Sequence, residues 1–154
     1  MTLSCDASSY GLGSVVLQAG QPVAYGSKSL TVAEKAYAQI EKELLAIVFG
    51  CRKFHHLVYG RFFDVETDHL PLLRIFEKPL SQIPLRLQKM ILKLQPYNFK
   101  LVSKSGTEIP VADALSRAPI KDELSGLVDD MADLQVCAFE VRTISAFQKR
   151  NYKS

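Results

Sequence analysis

The 154-residue chain contains no apolar run approaching the roughly 18 to 20 residues that a membrane-spanning helix needs. Its N-terminus has neither the basic stretch nor the hydrophobic centre of a secretory signal. A soluble, intracellular protein is therefore expected, with no membrane partner. Cysteine is scarce: Cys5, Cys51 and Cys137 are widely spaced, with no CxxC pair and no Cys/His cluster, which argues against a disulfide framework and a zinc site and for three reduced thiols. Low-complexity tracts are missing as well. With 47% apolar residues the chain can bury one core, and the economical reading is a single domain followed by a tail. A strong net charge is also lacking, the formal value being +3.

What is present is a set of acids in places that usually hold neutral side chains. Asp6 interrupts the apolar opening segment Leu3 to Ala7. Asp68 ends the strand-like run Phe62 to Thr67, Asp113 sits in the first turn of a helix predicted after Pro110, and Glu43 rides beside the apolar stripe of the longest predicted helix. Ionised carboxylates are costly to gather unless cations compensate them. Four that converge would imply Mg²⁺ or Mn²⁺, both of which prefer oxygen ligands. The charge balance fits: residues 1 to 120 hold 14 Lys/Arg against 10 Asp/Glu, and residues 121 to 154 hold 5 against 6. Neutralising the four acids would leave the front of the chain distinctly basic, which suits a polyanionic ligand.

Punctuation and periodicity predict the elements that carry these acids. Residues 3 to 30 read as strands separated by Gly/Ser turns, with a hairpin loop at Ala19-Gly20-Gln21. Thr31 and Glu34 form a capping-box pattern. After it Tyr37, Ile40, Leu44, Ile47, Val48, Cys51 and Phe54 recur at helical spacing, predicting one helix to about Leu57. Phe62 to Thr67 is a strand, and His69-Leu70-Pro71 starts a short helix. Leu85 to Leu94 is an amphipathic helix with Arg86, Lys89 and Lys93 turned outward, as a solvated face or a phosphate contact. Tyr97 to Val102 is the last strand, Gly106 marks a turn, and Pro110 to about Arg117 is a helix that Pro119 closes. The order predicts an α/β fold: a mixed sheet of five strands, three in an antiparallel meander and two added in parallel by helix crossovers, with helices flanking it.

Each acid also has a plainer reading. On the wheel of the long helix Glu43 falls on one shoulder of the stripe and Glu41 on the other, and periodicity does not choose between them. Asp68 suits a turn, and Asp113 complements a helix dipole. Asp6 is the hardest to explain as structure, since Asp fits a strand interior poorly.

Four segments, Leu3–Gly11 (LSCDASSYG), Ile40–Val48 (IEKELLAIV), Phe63–His69 (FDVETDH) and Val111–Arg117 (VADALSR), resemble the ribonuclease H domain of reverse transcriptases from gypsy-like long-terminal-repeat retrotransposons. The similarity runs from about residue 2 to Ala118. It implies a ribonuclease H-like domain over 1–118, with 119–154 as a linker or tether toward integrase. It also implies a metal-dependent endonuclease that hydrolyses the RNA strand of RNA/DNA hybrids using two ions of Mg²⁺ or Mn²⁺. The family's ligands map onto Asp6, Glu43, Asp68 and Asp113, which selects Glu43 over Glu41. By the same analogy Asp6 bridges both ions, Asp113 completes the site that activates water, and Glu43 with Asp68 serves the leaving 3′ oxygen.

Ser8, Gly11 and His69 are the expected substrate-binding positions, and His55 and His56 are read as helix-surface residues. Expected partners are the hybrid and the polymerase and integrase modules of one polyprotein, of which this chain would be a piece, in the cytoplasm or in virus-like particles. Ile109 and Pro110 stand where the family often has Asn-Val, and Ser103 where an aromatic is usual, departures that bear on substrate positioning. The competing expectation is a non-catalytic nucleic-acid-binding or scaffold remnant of a mobile element.

Overall fold

A computed structural model describes residues 1–108 and 110–118, which pack as one unit. The tether expected over 119–154 lies outside the described residues.

Five strands form one sheet in the order β3-β2-β1-β4-β5: β1 (Thr2–Ala7), β2 (Gly11–Gln18), β3 (Gln21–Ser29), β4 (Phe62–Thr67) and β5 (Asn98–Ser103). The first three are an antiparallel meander, while β4 joins β1 in parallel and β5 joins β4 in parallel. This is the mixed sheet that the order of elements predicted. The β2–β3 loop is the pair Ala19–Gly20, with φ of 51° and 76°. Two positive φ values give a turn whose twist matches the strands, and glycine adopts it freely whereas alanine does not. Pro22 follows beside a register shift at Val16/Leu17 on the outermost strand, where a missing N–H interrupts little.

The helices are α1 (Val32–Lys35), α2 (Gln39–Lys53), α3 (His55–Val58), α4 (Leu70–Phe76), α5 (Leu85–Leu94) and α6 (Pro110–Arg117), with 3₁₀ turns at Leu80–Gln82 and Gly106–Glu108. The single helix predicted from Thr31 to Leu57 is thus three. Thr31 and Glu34 do form the capping box, but it caps one turn only. The chain then extends at Ala38 (φ −61°, ψ 155°), whose N–H donates to Glu41 Oε2 at 2.9 Å as α2 begins. At Phe54 (φ −107°, ψ 26°) the backbone leaves helical geometry again before α3.

Two helices cover opposite faces of the β1–β2 pair. Neighbouring residues on a strand point to opposite faces. Cys5 and its partner Ser14 face α2, where Ser14 Oγ donates to the Ala46 carbonyl at 3.2 Å. Asp6 and its partner Gly13 face α6. The core lies on the α2 side, where Leu44, Ile47 and Cys51 pack with Leu3, Cys5, Leu12, Val16, Phe63 and Val65, all essentially inaccessible to solvent. Helix α5 packs on α2. Its Arg86 does not simply face water: it is paired with Glu41 (3.0 Å) and lies 4.3 Å over the Tyr37 ring.

His55 is likewise not a plain surface residue. Its ring stacks on Tyr59 at 4.6 Å, and its Nδ1 lies 2.7 Å from the Tyr97 hydroxyl.

Candidate functional site

Because β1 and β4 run parallel, they finish at the same edge of the sheet, and Asp6 and Asp68 arrive there together. Helix α2 starts above that edge, so Glu43, one turn in, points back toward the strand ends. One carboxylate oxygen from each of Asp6, Glu43 and Asp68 lies within 4.8 Å of the other two. Helix α6 brings Asp113 to the same open cleft of about 300 Å³, whose walls also include Ala7, Ser8, Gln39, His69 and Arg117. Asp113 is outside the tight trio. Its Oδ1 is held by Arg117 Nε at 2.8 Å.

The geometry separates the two glutamates that the helical wheel left open. Glu43 is 3% exposed and belongs to the trio. Glu41 is outside the trio and is engaged by Arg86 and the Ala38 N–H.

Burial makes this cluster electrostatically costly. Loss of hydration, and next the Asp6 charge, push the Glu43 carboxyl up to about 8 from its ordinary 4.5. Asp6 is raised too, first by burial; the Ser116 hydroxyl opposes the shift, while Asp68 and Asp113 add to it. Glu43 Oε1 accepts from Gln39 Nε2 at 2.6 Å, and the second Gln39 amide hydrogen goes to the Ala7 carbonyl at 3.0 Å. Glu43 Oε2 is buried with no hydrogen-bond partner. An unsatisfied buried carboxylate oxygen is rare and expensive. Such an oxygen, on a carboxylate clustered with two more, matches what a hard divalent cation coordinates. On that observation the residues present fit such an ion.

The other expected positions divide. Ser8 lines the cleft, but its hydroxyl is engaged: it donates to the Ser116 carbonyl at 2.6 Å and accepts from the Tyr10 and Gly11 N–H groups at 3.2 and 3.0 Å. Gly11 opens β2, pairs with Ser29 and is not part of the cleft wall. His69 is in the wall; burial lowers its pKa, and Asp68 opposes that shift.

Three residues went unnoticed in the sequence. Gln39 lies four before Glu43, and Ser116 and Arg117 lie three and four after Asp113. The one-turn spacing was the available signal, since such pairs share a helix face. Ser116 is fully buried, and its hydroxyl donates to Asp6 Oδ2 at 2.5 Å.

Residues 1–97 match the family model described as the RNase H-like domain found in reverse transcriptase. The chain is 40% identical over 120 residues to the retrovirus-related Pol polyprotein from transposon 297 of Drosophila melanogaster, covering 78% of this chain and 11% of that protein. To the Pol polyprotein from transposon gypsy of the same fly it is 38% identical over 116 residues, covering 75% and 11%. The chain thus spans about a tenth of these relatives' length. Among solved structures it is similar to LC11-RNase H1 in complex with RNA/DNA hybrid, with a TM-score of 0.56 and 17% identity over 80% of this chain and 98% of that one. This last likeness is one of fold.

Proposed function

The chain belongs to the RNase H-like domain family of reverse transcriptases, and from that premise we propose that it is a divalent-metal-dependent endonuclease that hydrolyses the RNA strand of RNA/DNA hybrids. The observation that carries this reading is the meeting of Asp6, Glu43 and Asp68 at one strand edge, where Glu43 also has a buried oxygen without a hydrogen-bond partner. The solved fold neighbour bound to a hybrid supports the substrate class.

In this reading Asp6, Glu43, Asp68 and Asp113 hold two ions of Mg²⁺ or Mn²⁺. Bound cations supply positive charge to the entering and leaving oxygens of an in-line phosphodiester displacement and make water acidic enough to attack near neutral pH. The chain's own residues do the positioning. Gln39 fixes one oxygen of Glu43 and so leaves the other for coordination. Arg117 holds Asp113 at the rim and presents a cation to substrate phosphate. His69 stands at the wall, within the same cleft, as a further phosphate contact. Hybrid selectivity rests on groove shape and 2′-hydroxyls, with little reading of base edges. Polymerase and integrase modules of one polyprotein are the proposed neighbours, since the relatives are Pol polyproteins.

The test is a labelled hybrid titrated with Mg²⁺, with an all-DNA duplex as control. The RNA strand is cut only with metal, the duplex is not cut, and Asp6→Asn lowers cleavage by at least about a hundredfold while hybrid binding persists. Binding without cleavage at any Mg²⁺ or Mn²⁺ concentration would instead identify a non-catalytic nucleic-acid-binding domain.

A further inference from the structure

Helix α6 lies against the sheet with no spacer. A Cβ built on Gly13 would fall 2.1 Å from the Ala112 carbonyl oxygen and 2.6 Å from the Ser116 nitrogen. Gly13 is the strand partner of Asp6, so the helix passes directly over that carboxylate. At this crossing Ser116 is fully buried. Its single hydroxyl proton has two acceptors, Asp6 Oδ2 at 2.5 Å and the Asp113 carbonyl at 2.8 Å. The carboxylate is the nearer of the two, and when ionised it is a stronger acceptor than a neutral carbonyl. The backbone of Ser116 is pinned in turn, because its carbonyl accepts the Ser8 hydroxyl at 2.6 Å. The Ser8 bond thus fixes the backbone from which the hydroxyl reaches Asp6, and the hydroxyl leaves Asp6 only by rotating its own side chain or turning its proton to the Asp113 carbonyl.

We propose that Ser116 is a positioning residue that fixes one oxygen of the Asp6 carboxylate, so that the group is presented to a divalent cation in one orientation. The inference rests on the nuclease reading and deepens it. Gln39 performs the same service for Glu43, fixing Oε1 and leaving Oε2. Two of the three clustered acids are thus each oriented by a neutral side chain, Glu43 from within its own helix and Asp6 from the helix packed over its strand. Hydrogen bonds of this kind to ligating groups typically govern 10- to 100-fold in metal affinity or activity.

The experiment uses the full chain. Mn²⁺ binding is measured by calorimetry without substrate, and the Mg²⁺ dependence of hybrid cleavage is measured separately, for wild type, Ser116→Ala and Ser116→Thr. Ser116→Ala is expected to weaken Mn²⁺ binding about tenfold or more and to raise the Mg²⁺ needed for half-maximal cleavage by a similar factor. KM for the hybrid should stay within about twofold, because Ser116 is buried away from substrate. Ser116→Thr, which keeps the hydroxyl, should restore metal affinity to within a few-fold. Should Ser116→Ala fail to fold, the near-isosteric Ser116→Cys, a weak donor, is expected to show the same loss.

Wild-type Mn²⁺ affinity in a folded Ala or Cys variant overturns the inference, as does a folded Thr variant no better than Ala. A wild type that neither binds Mn²⁺ nor cuts the hybrid overturns the nuclease reading and this inference with it.

Discussion

Helices α2 and α6 cover opposite faces of the same two strands, yet they are held there by different forces. Helix α2 docks through an apolar stripe, with Leu44, Ile47 and Cys51 sealed against the sheet. Helix α6 docks through small residues, Gly13 beneath Ala112 and Ser116, and through hydroxyl hydrogen bonds. An apolar interface tolerates small adjustments because its energy follows area. A backbone-on-strand contact does not, because hard atoms set its distance. Each helix delivers an acid to the cleft, and the two acids inherit the contrast. Glu43 is sealed in and bears a large hydration cost. Asp113 is half-buried and held at the rim by an exposed arginine.

The sharpest way to test the α2 side is through pH, in the presence of a chelator. The Glu43 pKa is raised from 4.5 to about 8, so between those values the folded state binds a proton that the unfolded chain releases. Stability from this group is full below about pH 4.5 and is lost as pH climbs through about 8, and raised Asp6 adds in the same sense. Urea unfolding is expected to show a loss on the order of 2 to 4 kcal/mol across that window. Glu43→Gln should remove most of the slope, and added Mg²⁺ should reverse it. A flat profile in wild type would mean that Glu43 is not desolvated as described.

The α6 side is probed with glycine. Gly13→Ala drives a methyl group into helix backbone and should cost about 3 kcal/mol by chemical denaturation, at the upper end for overpacking. It should also reduce hybrid cleavage by shifting Asp113 and Ser116. Gly50→Ala on α2 is the matched control: its Cβ would meet side-chain atoms of Ser14 and Leu3 at 2.8 to 3.2 Å. Ser14 is held on its strand and by the Ala46 carbonyl, so this contact yields only in part, but it involves no helix backbone and alanine returns about 1 kcal/mol of helix propensity, so the net cost should fall well below that at Gly13. Equal costs at the two positions would erase the distinction between the helices.

The smallest effect lies away from both. Ala19→Gly relieves a positive φ in the β2–β3 turn and should raise stability by roughly 0.5 to 1 kcal/mol in a thermal melt, with cleavage unchanged.

Much of this architecture could be read from the sequence because its signals are local. Alternation and turn residues mark all five strands, and Asp6 is conspicuous for sitting where a strand should be apolar. The break before α2 was hidden for a physical reason. Tyr37 is in phase with Ile40, Leu44 and Ile47, neither glycine nor proline intervenes, and Glu41 closes the new helix start on a backbone N–H that no pattern of residue types reveals. Periodicity did not separate Glu43 from Glu41 and the family resemblance did, because the physical distinction, Arg86 engaging Glu41 from 45 residues on, is not local. Gly13 reads as an ordinary strand glycine until α6 is laid across it. His55 looked like a surface residue because its partner Tyr97 belongs to a distant segment.

The bond between Ser116 and Asp6 joins residues 110 positions apart. During synthesis at about 5 to 20 residues per second, the first strand would wait roughly 5 to 20 seconds for the helix that completes its surroundings. Throughout that interval the nascent chain carries its leading aspartate without the hydroxyl that orients it. Ribosomal timing therefore keeps the centre unfinished until after the whole sheet has been made.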